Sequence, residues 1–93
     1  MHVYLLTIEL RLPTRSLKGK RGIVKSILAR ARQRFNVASA EIDRQDDWES
    51  AILGFVTVSG NGVIARQVLE QLEQWVVDER PDVEVVRAEI EEC

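Results

Sequence analysis

Residues 3–12, VYLLTIELRL, alternate with a period of two. Tyr4, Leu6, Ile8, Leu10 and Leu12 make one continuous apolar face, and Val3, Leu5, Thr7, Glu9 and Arg11 make the other. That pattern predicts a strand with one face on the core, stopped by Pro13. The period then changes. Leu17, Val24, Ile27, Leu28, Ala31 and Phe35 recur at helical spacing behind Ser16, a residue suited to cap a helix start, with Asn36 as the stop. Short strands are expected at about residues 37–43 and 48–59, joined by a polar turn around Gln45–Asp47. In the second of these, Ile52, Gly54, Val56 and Val58 share one face and Leu53, Phe55 and Thr57 the other. The run SGNG at 59–62 signals a turn into a second helix over about residues 63–79. Ile64, Ala65, Val68, Leu69, Leu72, Trp75 and Val76 form its apolar stripe. Pro81 separates that helix from a last strand at about residues 83–91.

The order β-α-β-β-α-β allows one hairpin and two helical crossovers. The expected architecture is α+β, a ferredoxin-like two-layer sandwich. Its antiparallel sheet has the order 4-1-3-2, with both helices on one face and the other face uncovered. The 93 residues suffice for one such domain spanning 1–93. They hold no apolar run long enough for a membrane span. The N-terminus carries no secretory-signal pattern. The lone cysteine, Cys93, has no partner for an internal disulfide, which fits a reducing cytoplasm.

Charge changes the picture more than composition does. The formal net charge of −2 hides a strong segregation. Every one of the nine ionic residues from Leu10 to Ala40 is basic, whereas Glu41 onward holds four basic and fourteen acidic residues. Eight of the thirteen Lys and Arg residues fall in RSLKGKRGIVKSILARARQR at 15–34. On a wheel of 3.6 residues per turn, Lys18, Arg21, Lys25 and Arg32 cluster within about 60° of arc, off the apolar stripe. Arg30 and Arg34 flank the stripe on its other side. A solvated helix face is the plain reading. The helix start argues for more, because Lys18, Lys20 and Arg21 sit where the helix dipole disfavours cations, and Gly19 and Gly22 thin the same turns. Cations beside open backbone N–H groups suit an anion, such as a phosphate of RNA.

A base-stacking sheet of the RNA-recognition-motif kind is disfavoured, since Tyr4 belongs to the core-facing set and only Phe55 offers a stacking ring. Asp43, Asp46, Asp47 and Glu49 fit no calcium-loop spacing and read as a solvated hairpin turn. His2 is the only histidine, so neither a catalytic dyad nor a zinc site is assembled. No enzyme activity, cofactor, metal or small-molecule substrate is expected. Val3, Leu5, Leu53 and Phe55 are expected on the open sheet face, where an apolar patch would favour a homodimer or a docked protein.

Ser16, Leu17, Lys18, Lys20 and Arg21, then Arg34, Phe35, Asn36 and Val37, then Ala40, Glu41, Asp43, Gln45, Asp46 and Trp48, with the terminal EIEEC, form a recognisable pattern. It resembles the YlxP-like family of small bacterial proteins, across essentially the whole chain. Gly19 and Gly22 depart from the family pattern, where larger helix formers are expected. The resemblance implies a ferredoxin-like fold and no catalytic residues. The family's genes often lie beside those for transcription elongation, translation initiation and ribosome maturation factors, which implies work near RNA or the ribosome. The functional expectation is an accessory protein contacting RNA or a ribosomal particle through Lys18, Lys20, Arg21 and Lys25, with Arg30, Arg32 and Arg34 as outer contacts. The alternative is a protein-interaction module acting through the open sheet.

Overall fold

Two periodicities in the sequence become two layers in the computed structural model, which describes all 93 residues. The elements are β1 (His2–Arg11), α1 (Leu17–Arg34), β2 (Ala38–Asp43), β3 (Ser50–Ser59), α2 (Gly62–Glu79) and β4 (Glu84–Glu92). The four strands form one antiparallel sheet in the order β2-β3-β1-β4, which read from the opposite edge is 4-1-3-2. Neither helix is long and apolar enough to cross a membrane.

The period-two face of β1 is buried as expected: Leu6, Ile8 and Leu10 are fully enclosed. They join Val24, Ile27 and Ala31 of α1 and Leu69, Leu72 and Val76 of α2 in one core, so both helices cover the same side of the sheet. α1 packs over β2, and α2 lies over β1, β3 and β4. The C-terminal ends of the helices meet through an edge-to-face pair of Phe35 and Trp75, with ring centroids 5.7 Å apart.

Register corrects one expectation. Leu53 pairs with Ile8 and Phe55 with Leu6, so both point into the helix-covered face, and both are fully buried. They are core residues and take no part in an open surface. The strand reads on both faces as nearly apolar, so periodicity alone could not say which face is inside. With Phe55 enclosed, the open face holds no stacking ring.

The open face is built by Val3, Leu5, Thr7 and Glu9 of β1, opposite Val58, Val56, Gly54 and Ile52 of β3. A register shift in β2 between Glu41 and Asp43 accompanies an exposed Ile42. Ile42 lies across Gly54, where a β-carbon would stand only 3.2 Å from its Cγ2. Leu5, Ala38, Ala40, Ile42, Gly54 and Val56 line a shallow hollow of about 190 Å³ there. On β4, Glu89 and Glu91 pair with Thr7 and Leu5, which gives the open face an acidic edge beside its apolar half.

Candidate nucleic-acid interface

α1 begins at a serine cap. Ser16 Oγ accepts the Gly19 N–H at 3.0 Å, and the Ser16 carbonyl accepts the Lys20 N–H at 3.1 Å. Part of the backbone-donor set expected for an anion is therefore already used. Gly19 has a packing reason: a β-carbon would collide with Thr14 Oγ1 and come within 3.1 Å of the capping Ser16 Oγ. Gly22 faces open space and nothing nearby requires it. Both glycines line a hollow of about 580 Å³ at the helix start, together with Ser16, Lys18, Ile23 and Arg80.

Among the expected phosphate contacts, Lys20 is displaced most. It is fully buried, with its ammonium 3.0 Å from Glu41 Oε2 and donating to the Arg44 carbonyl. It cannot reach a phosphate. The helical spacing explains this: Lys20 precedes Val24 by four residues, Ile27 by seven and Ala31 by eleven, all buried positions of the apolar stripe. Glu41 shows the matching signal in β2, where it lies opposite Leu53 and so faces the helix layer. A lysine on the stripe and a glutamate on the inward face of a strand mark a buried pair that charge counting missed. The pair ties α1 to the β2–β3 turn, whose Arg44 adopts a positive φ of 62°. Arg44 in turn donates to Glu9 at 2.8 Å and to Ser50 at 2.8 Å.

The outer arginines divide. Arg30 pairs with Glu79 of α2. Arg32 donates to Ser39 Oγ at 2.7 Å, and that hydroxyl donates to the Leu28 carbonyl at 3.2 Å. Arg34 stacks over Phe35, 5.9 Å from its ring centroid. Lys18, Arg21 and Lys25 stand exposed and form no ion pair. The four-residue ridge of the sequence therefore stands, with Arg32 tethered, while Lys20, Arg30 and Arg34 are engaged elsewhere. Arg21, Lys25 and Arg32 also converge on a groove of about 280 Å³ between α1 and β2, floored by Val24 and Leu28, with Glu41 in its wall.

The sequence gives Trp48 no role beyond the pattern. It lies outside β3 in the turn, 41% exposed, and lines a second hollow with Arg15 and Glu49. Near the end of α2, Arg80 holds Asp82 through two hydrogen bonds of 2.9 and 2.6 Å. The paired guanidinium lowers the Asp82 carboxyl below its ordinary range, and Asp82 raises Arg80.

The fold and site together define a small α+β protein with a four-stranded sheet, a helix layer bearing an uncompensated basic ridge, and a half-apolar open face. By sequence it belongs to the family described as protein of unknown function (DUF503), which matches residues 3–90. It is similar to the uncharacterized protein YlxP of Bacillus subtilis strain 168, at 36% identity over 69 residues, covering 74% of each chain.

Proposed function

We propose that the chain is a non-catalytic, cytoplasmic accessory protein of ferredoxin-like fold that contacts the phosphate backbone of RNA or of a ribonucleoprotein particle through Lys18, Arg21 and Lys25. One observation carries this reading: three exposed cations share one side of α1 without an ion-pair partner. Glu41, the acid in the adjoining groove wall, is already paired with Lys20 inside. The ridge therefore keeps its positive field, which draws polyanions and condenses phosphate contacts by counterion release. Arg32 adds a fourth cation in a fixed position. A gel-shift titration of single-stranded RNA with wild type and with Lys18→Glu/Arg21→Glu/Lys25→Glu tests the reading. Binding by wild type and its loss in the variant are expected; equal binding, or none by either protein, contradicts it.

A second reading rests on the open face. Its apolar half (Val3, Leu5, Ile42, Val56 and Val58) is set to one side of the Glu89 and Glu91 edge. Two copies related by a two-fold axis along the strands could bury the apolar halves and leave both acidic edges in water. Sedimentation of wild type and Leu5→Glu tests this: a concentration-dependent dimer abolished by the substitution supports it, and a monomer at all concentrations removes it.

A further inference from the structure

The groove between α1 and β2 gathers three cations around one acid. Arg21, Lys25 and Arg32 line it, Val24 and Leu28 give it an apolar floor, and Glu41 contributes the acid. The Glu41 side chain is 17% exposed; its Oε2 is enclosed beside Lys20 and makes no hydrogen bond. Lys20 offsets the Glu41 charge from the inside, so this carboxylate weakens a neighbouring phosphate less than a lone one would. An acid there has a use if the ligand also presents a hydrogen-bond donor. Ribose supplies one within a few ångströms of each phosphate, and a 2′-hydroxyl is the group that separates RNA from DNA.

We infer that this groove seats one ribonucleotide unit, with Arg21, Lys25 and Arg32 on its phosphates and Glu41 accepting the 2′-hydroxyl, so that the chain selects RNA over DNA. Lys20 is a positioning residue in this scheme. Its buried ammonium, 3.0 Å from Glu41 Oε2, fixes the position of that carboxylate. Ser39 does the same for Arg32, since it is itself anchored to the Leu28 carbonyl. Sugar selection rests on the phosphate-contact reading above, yet it can fail separately from it.

The test uses the wild-type chain with three single-stranded oligonucleotides of one sequence: RNA, 2′-O-methyl RNA and DNA. The first should bind about tenfold more tightly than the other two, the effect of one charge-assisted hydrogen bond. In Lys20→Met/Glu41→Leu, which removes both buried charges together, the three should bind alike, at no less than the wild-type affinity for DNA. Equal wild-type affinity for all three overturns the sugar selection and leaves the ridge reading standing. A preference for RNA that persists in the double variant also overturns the role of Glu41. Binding of none of the three overturns the ridge reading and this inference with it.

Discussion

Lys20 and Glu41 show how far a single position can depart from its apparent role. A lysine among lysines looks like one more surface cation, yet its helical phase puts it among Val24, Ile27 and Ala31. Removing one partner of a buried pair leaves the other uncompensated, whereas removing both with apolar groups of similar volume is often neutral. Lys20→Met should therefore cost about 3 kcal/mol in urea unfolding, while Lys20→Met/Glu41→Leu returns to within about 1 kcal/mol of wild type. Additive losses in the double variant would contradict the pairing. The two helix-start glycines should part in the same assay. Gly22→Ala, facing open space, should stabilise by roughly 0.5–1 kcal/mol. Gly19→Ala should destabilise, because its β-carbon displaces Thr14 and the capping serine. What the sequence made legible at this scale was the chemistry of each residue. Direction was hidden where both alternatives were plausible, as with Leu53 and Phe55, whereas the direction of Lys20 was written in its helical phase and overlooked. For the two strand residues, direction depends on which side the helices land, a tertiary fact.

Elements were the most legible scale, because period and capping act locally. The strand–helix alternation and Ser16 as the cap of α1 follow from short-range signals, and the order of strand neighbours from the topology that alternation allows. Trp48 and Glu49 fall outside β3, the strand starting instead at Ser50. The Asp47 carboxylate accepts the Glu49 N–H at 3.0 Å and turns the chain locally, a competition that apolar patterning cannot register. At the same end of the sheet, Arg80 and Asp82 brace the turn from α2 into β4 across Pro81. Asp82 has a folded pKa lowered from 3.8. Its contribution is therefore present above that value and is lost as pH falls through the lower folded one. The pair is largely solvent-screened, so Asp82→Asn should cost no more than about 1 kcal/mol at neutral pH. The difference from wild type should vanish in strong acid. A difference that grows on acidification would reverse the sign and refute the assignment.

At the scale of the whole molecule, the charge segregated along the sequence is segregated in space only in part, because the acidic β2–β3 turn stands beside the start of α1. The basic side of α1 lies in the helix layer beside β2. The glutamates of β4 lie on the opposite edge of the sheet. Such a molecule has a preferred orientation toward a polyanion, with the ridge leading and the acidic edge turned away. With α1 as the contact surface and the open sheet a separate one, Leu5→Glu should leave RNA affinity unchanged. The central claim is that Lys18, Arg21 and Lys25 neutralise phosphates. Its most direct test is the salt dependence of single-stranded RNA binding, measured for wild type and for Lys18→Gln/Arg21→Gln/Lys25→Gln, which removes the three charges without reversing them. Each phosphate contact contributes a slope of about −0.7 in log K against log salt, so three lost contacts should flatten the wild-type slope by about 2. An unchanged slope would contradict the account.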